Sequence, residues 1–169
     1  RTYFECDEGR KNAFAWIEKT RPMLTIVSNS SRHTITKTGG LDEAGWRDAT
    51  RRTMAALSGK STATVVLKDT PWPPFNTPIC LSRAAWRNMD TRRRCEFDPR
   101  SGTSTAIAEI ETSALSEFEG SFLVDMNDLV CPESVCAVER DGFVLYRDSH
   151  HLSVRFAEHL AEPMYRRLE

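Results

Sequence analysis

Nowhere in the 169 residues is there a run of about 18 apolar side chains, so no segment has the length and hydropathy of a membrane-spanning helix. Internal repeats and low-complexity tracts are also missing. The first residues, Arg1 to Glu8, contain no apolar signal-peptide core, so any export signal is expected to lie outside this chain or to have been removed. Excess charge is missing as well: 23 basic and 24 acidic residues leave a net charge of -1. The balance shifts along the chain, with 13 basic against 8 acidic residues through Ala85 and 10 against 16 beyond it, hence +5 and -6. That polarity is far from the basic footprint of a nucleic-acid binder, and no nucleic-acid partner is expected. The one basic run, Arg92-Arg93-Arg94, lacks interleaved aromatics and reads as a solvated loop. What remains is ordinary: 40% hydrophobic and 28% charged residues suit one folded domain over residues 1–169 and exclude disorder, collagen and coiled coil.

The five cysteines are Cys6, Cys80, Cys95, Cys131 and Cys136. None forms the C-x-x-C knuckle of a zinc site, and no histidine stands at finger spacing, so no metal site and no cofactor are expected. Two local disulfides with one cysteine left over is the simplest reading, which places the domain in an oxidising, extracytoplasmic compartment. The alternative is a set of reduced core cysteines. Cys6, the leftover, suggests a partner upstream of this sequence.

Helical and strand-like segments alternate. Residues from Asp7 to Lys19 carry Ala13, Phe14 and Ile17 at helical spacing, and Pro22 stops them. Met23 to Val27 reads as a buried strand. Asp42 can cap a helix with Trp46, Ala49, Thr53, Met54 and Leu57 on one face and Gly59 beyond its end. Thr64 to Leu67 is β-branched and strand-like. Thr105 to Phe118 is helical with Ile107, Ile110 and Ala114 inward, followed by Gly120 and a strand at Phe122 to Val124. Val135 to Val138 and Phe143 to Tyr146 read as a hairpin around Asp141-Gly142. A last helix starts near Ser153, packs Leu152, Phe156, Leu160 and Leu168, and is kinked or restarted at Pro163.

Short apolar strands alternating with helices signal a mostly parallel sheet covered on both faces, an α/β three-layer αβα sandwich. Ligands in such sheets sit beyond the carboxyl ends of the strands. Two segments follow strand ends: Ser28 to His33, and Asp69 to Pro78. The second holds four of the eight prolines with Trp72 and Phe75, and either walls a pocket or simply packs on the surface.

The sharpest chemical grouping is Asp148-Ser149-His150-His151-Leu152-Ser153. A turn running straight into a helix brings residues three apart together, so Asp148 can accept the Nδ1 proton of His151 and leave Nε2 free as a base. Ser153 would cap the helix. The bland alternative is a helix-entry turn holding a hydrogen-bonded histidine. His150 is expected to be exposed and to point away from His151. His159 reads as a helix-surface residue, and His33 has no evident metal partner.

The string Cys131-Pro132-Glu133-Ser134-Val135-Cys136, then Asp141-Gly142, Tyr146-Arg147-Asp148 and His151-Leu152-Ser153, resembles the closing segment of the SGNH hydrolase-like domains in the acyltransferase family 3 group. Earlier pieces fit as well: Cys6 and the amphipathic segment after it, Arg21-Pro22, Trp46 and Arg47, and the stretch from Asp69-Thr70-Pro71 to Cys80 with Cys95 beyond. The resemblance covers essentially the whole chain. It implies an SGNH/flavodoxin-like sheet, disulfides Cys80–Cys95 and Cys131–Cys136, and a place outside the cytoplasmic membrane behind a membrane acyltransferase. It further implies that Asp148 and His151 are the acid and base of a Ser-His-Asp triad. The partners would be an acyl donor and the hydroxyl of a cell-surface glycan. Ser28 and Asn29 fall near where some relatives place an oxyanion-hole side chain, with a simple turn as the alternative.

The family's Gly-Asp-Ser nucleophile motif does not occur in this sequence. Ser149 follows an aspartate, yet it belongs to the Asp-x-x-His element and cannot also be that serine. The expectation is a chain that starts after the nucleophile and lacks the first strand, or else a diverged domain, with Ser28, Ser30 and Ser31 as weak replacements. Two other readings stand beside glycan O-acylation: a free-standing esterase of the same fold, and a non-catalytic glycan-binding or docking module.

Overall fold

The computed structural model describes residues 4–31, 42–101 and 105–169. The chain divides into two compact units, Arg1–Leu67 with Thr105–Val124, and Lys68–Ser104 with Asp125–Glu169.

The first unit alternates helix and strand: α1 (Phe4–Thr20), β1 (Leu24–Ser28), α2 (Glu43–Leu57), β2 (Ala63–Leu67), then α5 (Thr105–Leu115) and β3 (Ser121–Val124). The three strands form a parallel sheet in the order β1-β2-β3, with Ile26, Val65 and Phe122 in register across it. This is an α/β architecture, as the alternation of apolar strands and helices predicts. Val65 and Val66 point to opposite faces and are both sealed, as the unbroken apolar run of a central parallel strand requires. On one face Val66 meets Met54 of α2 and Leu115 of α5, with Val27, Leu123 and Phe118 packed around them.

Local signals explain the helix limits. Asp42 accepts the Gly45 amide proton at 2.9 Å and so caps α2, while Gly59 beyond its end takes a left-handed φ of 68°. Thr50 rather than Ala49 completes the buried stripe of α2, because its hydroxyl is satisfied by the Trp46 carbonyl at 2.9 Å. In α5 the expected Ile107, Ile110 and Ala114 are buried, and Glu111 joins them. Helix α1 buries no residue fully, and Ala13 is exposed while Phe14 and Ile17 are half-buried.

Gly120 offers a direct test of this packing. Its φ is +71°, and a Cβ there would lie 2.8 Å from the Thr62 carbonyl oxygen; Gly59, at φ +68°, faces open space. Both alanine variants bear the left-handed penalty of about 1–2 kcal/mol, and only Gly120→Ala adds a backbone clash. Urea unfolding should therefore rank Gly120→Ala well below Gly59→Ala in stability. Equal midpoints would refute the close approach.

The second unit contains α3 (Thr77–Trp86), α4 (Thr91–Arg94), α6 (Asn127–Val130), the antiparallel pair β4 (Glu139–Arg140) and β5 (Phe143–Val144), α7 (Val154–His159) and α8 (Ala161–Arg166). Disulfides join Cys80 to Cys95 and Cys131 to Cys136, and Cys6, in the other unit, is free and exposed. The hairpin differs from its sequence reading. Asp141 and Gly142 both take positive φ, 52° and 78°, so the turn has two residues and Glu139 and Arg140 belong to the strand. Cys136 is instead drawn into a bridge with Phe97. The Arg92–Arg94 run is also not a loop: Asp90 caps it into the single turn of α4. Near Pro163 the chain restarts as expected, with Leu160 ending α7 and opening α8.

Candidate active site

Residues 145–153 make a tight reversal. Tyr146 bridges Leu152 in antiparallel fashion, the Arg147 amide donates to the His151 carbonyl at 3.0 Å, and the Ser153 amide donates to the Leu145 carbonyl at 2.8 Å. Inside this frame Asp148 folds back on its own loop. Its Oδ1 accepts the amide protons of His150 at 2.9 Å and His151 at 2.8 Å, an Asx-type turn. Its Oδ2 lies 2.7 Å from His151 Nδ1. Ser153 closes the far side, accepting the Phe156 amide proton at 3.2 Å as the cap of α7 and donating its own hydroxyl proton to the Val144 carbonyl at 2.6 Å.

Electrostatics fix the proton's place. Burial by itself would push the Asp148 carboxyl up, but the hydrogen bonds from the His151 backbone and ring, and from the His150 backbone, more than reverse this and hold it well below the usual carboxylate range. An ionised carboxylate only accepts, so His151 Nδ1 carries the proton toward Asp148, and in the neutral imidazole the lone pair is on Nε2. The His151 side chain is 52% exposed and that of Asp148 29%. A carboxylate rooted in a turn therefore holds a half-exposed imidazole by Nδ1, an arrangement that suits general-base work by Nε2 on a hydroxyl.

His150 departs from expectation. It is exposed, yet its ring lies 3.9 Å from that of His151 and its Nδ1 is 3.5 Å from Asp148 Oδ1. The two backbone amides captured by one carboxylate oxygen turn both side chains to the same side. Among the described residues, Asp148, His150 and His151 are the group whose ligand-type atoms lie close enough to hold a metal ion. Both oxygens of Asp148 are engaged within its own loop. His159 is exposed, with its ring 4.8 Å from that of Phe143, and His33 lies outside the described residues.

The loop is anchored from beneath by Tyr146. Its buried hydroxyl donates to the Pro71 carbonyl at 2.6 Å, and its ring meets Phe97 edge-on at 5.8 Å. Pro71 and Pro73 are buried, so much of the proline-rich segment is packed down, and Phe75 at its end stands edge-on to Phe97.

Ser28 and Asn29 belong to the other unit. Ser28 is exposed at the end of β1, and the Asn29 amide donates to Glu111 Oε1 at 3.1 Å, so a buried carboxylate orients it. Ser30 is exposed and Ser31 buried. Glu111 is the residue that reading by residue type passed over. Its place on the stripe 107, 110, 111, 114 was the available signal.

A parallel three-strand sheet alternating with helices defines the class as an α/β domain, which also carries an Asp-x-x-His turn on a hairpin-to-helix loop. More particularly, a family described as the SGNH domain (fused to AT3 domains) matches residues 2–166, through both units, and the chain belongs to that family. No curated protein matches it in sequence. Among solved structures it is similar to the periplasmic domain of a lipopolysaccharide acetyltransferase from Salmonella ser. Paratyphi A, with a TM-score of 0.64 and 18% identity. The match covers 94% of this chain and 61% of that one.

Proposed function

We propose that this chain is part of an extracytoplasmic O-acyltransferase domain that passes an acyl group, acetyl in the simplest case, to a cell-surface glycan hydroxyl. In this reading it works beside a membrane acyltransferase domain that supplies the donor. The observation that carries it is the 2.7 Å contact of Asp148 with Nδ1 of a half-exposed His151. The fusion to AT3 domains in the family description, the acetyltransferase likeness and the two disulfides support the partner and the compartment. The nucleophile is a serine from a Gly-Asp-Ser segment that this sequence does not contain.

His151 Nε2 takes the proton from that serine as its oxygen attacks the acyl carbonyl, and the imidazolium is stabilised by Asp148. Collapse of the tetrahedral intermediate returns the proton to the departing group. The glycan hydroxyl then gives its proton to Nε2 while attacking the acyl-serine, and the serine leaves reprotonated. The exposure of His151 also lets water act as acceptor, which is the esterase reading.

The test uses the full-length protein carrying this chain, assayed for release of a chromogenic acetate and for transfer to a glycan. His151→Ala should lower both by about 10⁴-fold or more. Unchanged turnover would leave only the non-catalytic module. Hydrolysis without transfer at saturating glycan would favour the esterase.

A further inference from the structure

We infer that a cationic cleft along α3 is a binding subsite for the anionic groups of an acidic glycan, an inference that rests on the glycan-acceptor reading above. The cleft, of about 690 Å³, lies within the second unit and is lined by Asn76, Ile79, Arg83, Arg87, Met89 and Arg94 among others. Its size falls in the range of small-ligand sites, about 300–1,000 Å³. No acidic side chain lines it, and no ion pair or side-chain hydrogen bond engages any of the three guanidiniums among the described residues.

Arg83 and Arg87 stand four residues apart on one face of α3 and its C-cap, about 6 Å of rise, close to the spacing of successive sugars in an extended chain. Their position at a helix C-terminus is favourable by itself, through the helix dipole. Arg94 joins them from a different helix. It comes from α4 and is held there because Cys95, the next residue, is disulfide-bonded to Cys80 on the same face of α3. Three like charges gathered without a counter-charge repel, and an oxyanion received between their planar forks relieves that. Trp86, 82% exposed, does not line the cleft but follows Ile79 and Arg83 at helical spacing, where a sugar extending beyond the cleft would meet its aromatic face, which favours a glycan over a free anion. The Thr77 amide at the start of α3 donates to the Asp148 carbonyl at 3.4 Å, so the helix runs from the dyad loop into the cleft.

Calorimetric titration of the protein with an oligogalacturonate, a malto-oligosaccharide of equal length, inorganic phosphate and phosphatidylglycerol vesicles tests this. The oligogalacturonate should bind, more weakly as salt rises, and about tenfold or more tighter than the neutral chain. Arg83→Ala, Arg87→Ala and Arg94→Ala should each weaken it by about tenfold, and Trp86→Ala by several-fold. Arg92→Ala and Arg93→Ala, which remove the same charge from exposed positions that do not line the cleft, should leave it unchanged. Equal binding of the neutral chain, equal loss in the Arg92 and Arg93 variants, or binding to phosphate or vesicles without the oligogalacturonate would overturn the inference. His151→Ala should bind normally, so loss of turnover and loss of the subsite are read separately.

Discussion

Replacing Asp148 with asparagine is expected to cut acyl turnover by about four orders of magnitude while the domain stays folded. The asparagine carbonyl can still accept the His150 and His151 amide protons that Oδ1 accepts now, so the turn persists. Its NH2 group, however, faces His151 Nδ1, where a carboxylate oxygen accepted a proton. The imidazole must then offer a lone pair at Nδ1 and carry its proton on Nε2, the nitrogen that has to act as base. A variant that keeps most of its turnover would remove the dyad from the mechanism. The same carboxylate predicts a pH signature. Because the folded state holds it below its ordinary value of 3.8, its contribution to stability is complete above that value and is lost as pH falls toward the folded one. The stability gap between the parent and Asp148→Asn should accordingly be widest at neutral pH and close in strong acid.

Truncating Tyr146 to alanine should cost about 3–5 kcal/mol, the largest stability effect expected from a single residue near the dyad. The ring is fully buried and packs against Phe97, so its loss opens a cavity under the loop. Tyr146→Phe should cost only about 1–2 kcal/mol, since it keeps the ring and leaves the Pro71 carbonyl without its donor. Urea unfolding of the two variants separates packing from hydrogen bonding. If both midpoints match the parent, Tyr146 is not the anchor. Burial pushes the phenol up from 10.0, an effect the Arg140 charge only partly opposes, so stability conferred by the neutral phenol should be lost as pH rises above 10.

The parts of this architecture that could be read directly are those with strong local periodicity. The strands at 24–28, 63–67 and 121–124 and the helices at 43–57 and 105–115 each carry their own apolar stripe or β-branched run. Helix α3 was hidden behind the prolines that precede it. Yet Asn76 accepts the Ile79 amide proton and Pro78 sits in the first turn, where its missing N–H costs nothing. Val135–Val138 has the composition of a strand, but the Cys131–Cys136 ring and the Phe97 bridge claim part of it, and the pairing moves toward Asp141-Gly142. The Asp148–His151 contact was legible because it depends on three residues of spacing and one turn. The side shared by His150 and the tie between Asn29 and Glu111 were not. One depends on where a single carboxylate oxygen points, the other on partners 82 positions apart.

Ser153 has a mechanical consequence. One hydroxyl grips the end of β5 and the start of α7 at once, and Arg167, past the end of α8, is clamped to Asp128 at 2.6 Å and to the Asp125 carbonyl. The terminal pair of helices is thus fastened at both ends, by a shared hydroxyl where it begins and by a guanidinium where it finishes.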